Sequence, residues 1–261
     1  MHLEVDGRQL EYRIAEPDGG KRSAGRTLVL LHEGLGSVSM WKDFPEALAG
    51  ATGSRVLAYS RYGHGESTEL GEPRSPDYMH REALDALPQV LSRLNIERPV
   101  LVGHSDGASI AIIHAGAGHR VEGLVLLAPH VFVEEQTLAG IALARDEFET
   151  TGMARKLARY HAHPQSMFRG WNDIWLDPAF RNWNIEHYLD SIRDPVLLLQ
   201  SRDDPYGTLA QVDAIAHRVG GAAQKMLFAG TSHSPHVDFR EETLAGITRF
   251  LGSLGPSHPK Q

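Results

Sequence analysis

The chain has no cysteine among its 261 residues, which excludes disulfides, thiolate metal sites and a cysteine nucleophile. It also lacks long apolar runs, since no stretch approaches the roughly 18 uninterrupted apolar residues of a membrane span. Positive charge is in the minority: a net charge of −7 and a pI near 6.1 argue against non-specific nucleic-acid binding. The first residues show no basic region followed by an apolar core. We therefore expect a soluble, cytoplasmic protein without a metal site, binding neither nucleic acid nor membrane.

The distribution of apolar residues predicts an α/β fold. Residues 2–16 alternate around Asp6-Gly7, a dipeptide typical of type I′ turns, and this predicts an antiparallel hairpin. Apolar runs without alternation predict six further strands, covered on both faces, at 27–31, 55–59, 100–102, 123–127, 195–199 and 225–228. Helical periodicity is found at 41–51, 79–94, 209–219 and 242–254, and Pro88 is expected to bend the second of these helices. The pattern predicts a mostly parallel, eight-stranded sheet with helices on both faces.

Residues 131–193 interrupt this alternation because some sixty residues separate two consecutive strands, too many for an ordinary crossover. They predict a small helical cap inserted after the sixth strand, between two core segments at 1–130 and 194–261, above the carboxyl ends of the strands. This cap segment concentrates aromatic residues, namely Phe168, Trp171, Trp175, Phe180, Trp183 and Tyr188. We predict that Trp171 and Trp175, four residues apart on one helix, contact an apolar substrate. Alternatively, the rings form the cap's own core.

The pentad Gly103-His104-Ser105-Asp106-Gly107 is the most informative motif. It follows an apolar strand and precedes a run of small aliphatic residues at 108–115, which is typical of a buried helix. A strand, a sharp turn carrying an exposed serine and a helix make up a nucleophile elbow, in which flanking glycines avoid steric clashes. The context predicts that Ser105 is a nucleophile, and an ordinary tight turn is the alternative.

A serine nucleophile needs a base, and the base needs an acid that fixes its tautomer. In the elbow fold both partners follow the serine along the chain. Asp203 and Asp204 come directly after a strand. In hydrolases of this kind the acid usually lies three residues beyond a glycine, and Ser201 holds that glycine position here, so Asp204 is preferred over Asp203. His233 occupies the first position of a His-x-Pro pattern in a late loop and is the predicted base. His236 follows the proline and is predicted to line the substrate site, with support of the loop as the alternative.

Two backbone N–H groups should stabilise the developing oxyanion. The residue after the nucleophile, Asp106, supplies one, and Gly34 in the glycine-rich loop 30–37 is the predicted second donor. His32 opens this loop and is predicted to contact substrate. The alternative for the loop is that its glycines only form a turn. The Asp106 side chain either attracts an amine-bearing substrate or is buried against polar groups of the loop.

These motifs resemble those of the α/β-hydrolase superfamily, in the same order along nearly the whole chain. The chain is most similar to its capped bacterial esterases, carbon–carbon bond hydrolases and lactonases, and the Ser-Asp-Gly of the elbow also resembles valacyclovirase-type hydrolases. The resemblance implies an α/β-hydrolase fold and a triad of Ser105, Asp204 and His233. Two positions depart from the usual pattern: Glu33 follows His32 where glycine is usual, and Ser60 replaces the acid of the common Asp-x-x-Gly-x-Gly-x-Ser loop.

We therefore predict a serine hydrolase that cleaves small to medium, partly apolar carboxylic esters or lactones through an acyl-enzyme, without a cofactor, as a monomer or homodimer. One alternative is a carbon–carbon bond hydrolase of meta-cleavage-type dienoic acids. Such enzymes commonly have Asn before and Met after the serine, where this chain has His104 and Asp106. The other alternative is a non-catalytic ligand-binding receptor built on the same fold.

Overall fold

A computed structural model describes residues 1–17 and 26–255 of the chain. It opens with the predicted hairpin, formed by β1 (His2–Val5) and β2 (Arg8–Ala15). Asp6 and Gly7 between the strands have φ angles of 49° and 73°, and a type I′ turn needs positive φ at both positions. The end of the predicted second core segment, residues 256–261, lies outside the described residues.

Six strands continue the sheet: β3 (Thr27–Leu31), β4 (Arg55–Tyr59), β5 (Val100–His104), β6 (Gly123–Leu127), β7 (Val196–Ser201) and β8 (Ala223–Phe228). The spatial order is β1-β2-β4-β3-β5-β6-β7-β8, with antiparallel pairing at β1–β2 and β2–β4 and parallel pairing elsewhere. Strands β5, β6 and β7 are buried along their whole length. Their continuous apolar sequence follows from coverage on both faces, and the predicted fold class is confirmed.

The helices are α1 (Phe44–Thr52), α2 (Tyr78–Arg81), α3 (Leu87–Arg93), α4 (Asp106–Gly116), α5 (Glu135–Thr150), α6 (Met153–Leu157), α7 (Pro164–Leu176), α8 (Glu186–Leu189), α9 (Leu209–Arg218), α10 (Pro235–Asp238) and α11 (Arg240–Ser253). Their apolar faces form one core on each side of the sheet. Helices α1 and α11 contribute to one core, and α3, α4 and α9 contribute to the other. No helix of residues 1–17 and 26–255 combines the length and apolar character needed to cross a bilayer.

The helix predicted at 79–94 is interrupted more sharply than a bend. A π-helical turn, Glu82–Ala86, separates α2 from α3, and Pro88 lies in the first turn of α3. Proline has no backbone N–H and its ring clashes with the preceding turn, so a wider turn just before it removes the conflict. Tyr78 therefore lies on α2 and Glu82 on the π-helical turn, and both of these short elements pack against α4.

The segment 131–193, for which the sequence predicts a cap, runs between β6 and β7 and is mainly helical. It contains α5 to α8 and a 3₁₀ turn at Pro178–Phe180. Phe132 and Asn184, one near each end of the segment, form an isolated antiparallel bridge. Helix α5 packs on α7, and α8 packs on α4 of the core.

Candidate active site

Ser105 lies at the turn between β5 and α4, with φ 52° and ψ −117°. This region is unfavourable for a residue with a side chain, and such strain is concentrated at functional sites. The two glycines of the pentad are needed because the turn is tightly packed. A Cβ on Gly103 would lie 2.4 Å from the Gly107 carbonyl oxygen, and one on Gly107 would lie 2.0 Å from the Leu31 carbonyl oxygen. The turn that carries Ser105 is therefore packed so closely that only glycine fits at positions 103 and 107.

Asp204 and His233 are joined directly. The His233 Nδ1 atom is 2.9 Å from both carboxylate oxygens of Asp204. The carboxylate follows the end of β7, is buried, and also accepts hydrogen bonds from the Tyr206 backbone N–H at 2.8 Å and the Gln200 side-chain amide at 3.2 Å. Asp203, the alternative acid, is exposed. The structure thus brings Asp204 to the imidazole, which leaves the other ring nitrogen available to a neighbouring group.

Ser105 and His233 line the same cavity, whose volume is about 240 Å³. Gly34 and Asp106 line it as well. The rest of its wall is mainly apolar and comprises Glu33, Leu35, Met40, His130, Thr137, Ile141, Met153, Leu157, Trp171, Trp175, Tyr206 and Ser234. The core and the cap segment both contribute to this wall, so a molecule in the cavity would touch the serine, the imidazole and the cap together.

The two predicted oxyanion donors lie in this cavity wall. Asp106 is the first residue of α4, where a backbone N–H has no acceptor inside the helix. Within residues 1–17 and 26–255, the Gly34 N–H has no acceptor either. Trp171 packs so closely on Gly34 that a Cβ there would lie 2.0 Å from the indole nitrogen. Both amides are therefore available to an acceptor in the cavity.

The side chain of Asp106 points to polar partners inside the protein. Its Oδ2 atom accepts a hydrogen bond of 2.6 Å from the Tyr78 hydroxyl and lies 3.8 Å from the Arg61 guanidinium. Tyr78 in turn accepts a hydrogen bond of 3.1 Å from the Trp175 indole N–H. Of the two sequence-based alternatives for this carboxylate, the geometry favours burial against polar groups. The same contacts link the cap to the elbow.

The cap aromatics divide between two roles. Trp171 and Trp175 line the cavity, on the helix face that the four-residue spacing predicts. Tyr188 instead packs on His80 of α2, with ring centres 5.7 Å apart. Phe180 is stacked on Trp183 at 5.3 Å, and Phe168 is stacked on Phe148 at 3.9 Å between ring centres. The alternative interpretation, a hydrophobic core within the cap, therefore holds for these rings.

His32 and His236, predicted to contact substrate, do not line the cavity that contains Ser105. His32 is buried, and its two ring nitrogens contact the Arg61 backbone N–H and the Glu33 carbonyl oxygen. His236 packs on Trp41, with ring centres 4.7 Å apart, and lines a neighbouring cavity. The sequence placed both in loops beside the site, but the direction of each side chain depends on tertiary contacts that the motif does not encode.

Sequence reasoning missed two further histidines and a glutamate. His104, inside the pentad, donates from Nε2 to the carbonyl oxygen of His233 at 2.6 Å and so supports the loop that carries the imidazole. His130, just after β6, lines the cavity, and burial lowers its pKa to about 3. Burial also raises the pKa of Glu33, whose carboxylate lies in the cavity wall 3.9 Å from His104. The carboxyl ends of parallel strands meet at one edge, a signal that could have drawn attention to His130.

A comparison with protein-family models decides the family. The model described as "Alpha/beta hydrolase family" matches residues 28–246. The chain belongs to this family. For an alpha/beta hydrolase, the elbow, the late histidine and the acid after β7 are in the expected order. The family and its relatives support an enzyme, and specifically a hydrolase, over the alternative of a non-catalytic receptor.

Several alpha/beta hydrolases are similar to this one over most of its length. A proline iminopeptidase of Lactobacillus helveticus is 23% identical, covering 94% of this chain and 95% of that protein. The enol-lactonase of Burkholderia xenovorans LB400 superposes with a TM-score of 0.75 at 20% identity, covering 97% and 100% of the two chains. Est816, an N-acyl homoserine lactone degrading enzyme, has a TM-score of 0.70 at 23% identity, covering 97% and 99%. At these identities the solved structures show a shared fold.

The alpha/beta hydrolase departs from the common loop pattern at Ser60, and the structure explains how. The Ser60 hydroxyl donates to a Glu11 carboxylate oxygen at 2.7 Å and accepts a hydrogen bond of 2.9 Å from the Val38 backbone N–H. Glu11 belongs to β2, and the same carboxylate oxygen accepts from the Glu66 N–H at 3.1 Å. A carboxylate is therefore still present beside this loop, but it comes from the amino-terminal hairpin.

Proposed function

We propose that this protein is a serine hydrolase that cleaves carboxylic esters or lactones through an acyl-enzyme formed on Ser105. The observation that carries the proposal is the shared cavity: the strained serine of the elbow and the imidazole of His233, bonded to Asp204, open into one apolar space. A serine hydroxyl is a weak nucleophile until a base takes its proton, and this arrangement supplies the base and the acid that orients it.

The mechanism follows from these groups. Asp204 accepts a hydrogen bond from the Nδ1–H of His233 and stays ionised, so Nε2 carries no proton and can take the Ser105 proton as the hydroxyl attacks the substrate carbonyl. The N–H groups of Gly34 and Asp106 stabilise the resulting oxyanion. His233 then protonates the leaving group, and a water molecule activated by the same imidazole hydrolyses the acyl-enzyme. These steps require no cofactor.

The cavity wall supports a small to medium acyl group. Its volume of about 240 Å³ is slightly below the roughly 300 Å³ at which drug-sized ligand pockets begin. Trp171, Trp175, Ile141 and Leu157 offer apolar contacts to an acyl chain. We infer that the cap sets the acyl preference, because α7 carries both tryptophans.

The test is a chromogenic ester assay combined with phosphonate labelling. Ser105→Ala is expected to lower kcat for a short nitrophenyl ester by at least about 10³-fold and to abolish labelling. Ser109→Ala is the matched control because Ser109 lies one turn further along α4, where its hydroxyl donates to the His130 carbonyl oxygen. The control should retain labelling. Labelling that persists in Ser105→Ala contradicts the proposal.

A substrate panel separates the bond types. Esters and lactones are expected to react, and ring-fission diketones are expected to react at least about tenfold more slowly. Preference for the diketones would favour the carbon–carbon bond hydrolase instead. A prolyl amide belongs in the panel because a full-length relative is named proline iminopeptidase. Rapid cleavage of that amide with slow ester turnover would overturn the ester and lactone assignment.

A further inference from the structure

The carbonyl oxygen of Glu33 is surrounded by N–H donors. It accepts hydrogen bonds from the Arg61 guanidinium at 3.1 Å, from His32 Nδ1 at 2.7 Å and from the Gly36 backbone N–H at 3.1 Å. A carbonyl oxygen has two lone pairs, so three donors on one oxygen are more than a loop turn requires. One of these donors carries a full positive charge and is almost completely buried, with Arg61 1% exposed.

The proton position on His32 is determined by its neighbours. Its Nε2 atom accepts the Arg61 backbone N–H at 3.0 Å, so this nitrogen carries no proton. The proton of the neutral ring is therefore on Nδ1, which donates to the Glu33 carbonyl oxygen. Burial, with the nearby Arg61 charge, holds the pKa of His32 well below its usual range. The ring is thus a fixed, neutral donor to this carbonyl.

The peptide bond that follows Glu33 connects these donors to the cavity. Its C=O belongs to Glu33 and its N–H belongs to Gly34, the proposed oxyanion donor. Because the peptide unit is planar and trans, the N–H points opposite to the C=O. Fixing the carbonyl direction consequently fixes the direction of the Gly34 N–H, and Gly34 lines the cavity together with Ser105.

The charge on Arg61 also affects how strongly this amide donates. A cationic donor on a carbonyl oxygen draws electron density away from the amide nitrogen, so its N–H becomes a better donor. The same guanidinium lies 3.8 Å from the Asp106 carboxylate and donates to the His32 carbonyl oxygen. Arg61 therefore contacts the loop that carries one oxyanion donor and the residue that carries the other.

We propose that Arg61 and His32 are positioning residues that, through the Glu33 carbonyl, direct and strengthen the Gly34 N–H as an oxyanion donor. This inference rests on the proposed serine hydrolase function. It gives His32 a different task from the substrate contact that its place in the sequence suggested. It also assigns a task to Arg61, which the motif did not single out.

The test compares an ester with the matching thionoester, in which sulfur replaces the carbonyl oxygen. Sulfur is a larger and weaker acceptor, so an effective oxyanion hole favours the ester. Arg61→Met is expected to lower kcat for the ester about 10- to 100-fold, less than the roughly 10²- to 10³-fold cost of deleting a donor. KM should change less than about threefold, and the ester-to-thionoester ratio should fall about tenfold. Arg61→Lys should recover part of this ratio because it keeps the charge.

Arg26→Met is the matched control. Arg26 is also a largely buried arginine and bonds Glu122 at 2.6 Å, but it precedes β3, at the opposite end of the strand from the loop. The control should leave the ratio unchanged even where it lowers stability. His32→Phe removes the second donor and should lower the ratio about threefold, and it decides the question if Arg61→Met does not fold.

An unchanged ratio in folded Arg61→Met or His32→Phe overturns the inference, whether or not overall activity falls. Failure of the proposed function is a separate result. In that case the wild-type protein itself would neither hydrolyse the ester nor take up the phosphonate on Ser105, before any variant is compared.

Discussion

Asp204→Asn tests the electrostatic part of the proposed mechanism. In the wild-type protein Oδ1 accepts from the Tyr206 N–H at 2.8 Å, and both oxygens lie 2.9 Å from His233 Nδ1. An amide keeps only one acceptor oxygen. The Tyr206 N–H can only donate, so we expect the retained oxygen at Oδ1 and the new amino group at Oδ2. His233 Nδ1 then faces one acceptor and one donor, and no single tautomer of the ring is enforced.

The size of the effect follows from the lost charge. A carboxylate and an imidazolium about 4 Å apart attract each other by about 4 kcal/mol at an effective dielectric constant of about 20, which corresponds to about 10³ in rate. The wrong tautomer adds to this loss, so we expect kcat to fall about 10³- to 10⁴-fold. KM should change little, because Asp204 does not line the cavity.

The assay is initial-rate hydrolysis of a nitrophenyl ester, with thermal unfolding measured on the same samples. Asp203→Asn is the matched control: it removes the same charge one residue earlier, from an exposed position. It should stay within about twofold of wild type. Activity above about a tenth of wild type in Asp204→Asn, or an equal loss in Asp203→Asn, would refute the reasoning.

Three further predictions concern stability. Gly107→Ala places a Cβ 2.0 Å from a backbone oxygen and should lower the free energy of unfolding, measured in urea, by about 2 kcal/mol or more. Gly252→Ala is the control: it has open space around it and should raise the free energy of unfolding by about 0.5 kcal/mol. Equal effects of the two substitutions would contradict the packing argument. Burial raises the pKa of Glu33, so its ionisation above pH 4.5 costs the folded state stability. Glu33→Gln should therefore raise Tm more at pH 8 than at pH 5, and the reverse order would exclude this cause. Burial lowers the pKa of His161 in the folded protein to about 4. As the pH falls, this histidine therefore binds a proton in the unfolded chain before it does so in the folded protein, and the free energy of unfolding decreases between about pH 6.5 and pH 4. His161→Gln should flatten this decline by up to about 1.4 kcal/mol per pH unit, and parallel curves would count against it.

The features that sequence predicts well are those set by local pattern. The hairpin turn depends on the Asp6-Gly7 dipeptide, and the central strands depend on uninterrupted apolar runs, so their positions agree with the structure within one to two residues. The position of Ser105 between a strand and a helix is equally local. The choice of Asp204 over Asp203 stays a prediction about catalysis, although the hydrogen bond to His233 supports it.

The features that sequence predicts poorly depend on side-chain direction across the fold. His32 and His236 lie in the expected loops, but neither lines the cavity of Ser105. Tyr206 lines the cavity from the loop after β7, and no pattern in that loop separates it from an ordinary turn residue. The proposed role of Arg61 depends on the Glu33 carbonyl oxygen, 28 positions earlier in the chain. Every residue has a backbone carbonyl, so a sequence pattern cannot show which one a side chain will contact.

The Glu11–Ser60 hydrogen bond has a practical consequence for anyone altering the start of the chain. Trimming the first sixteen residues would remove the carboxylate that both Ser60 and the Glu66 N–H rely on. The Val38 N–H, held by the same serine, lies four residues after Gly34. An amino-terminal deletion should therefore loosen the loops beside the Ser105 cavity, although the excised strands lie at the sheet's outer margin. A fusion partner attached at Met1 leaves this acid in place.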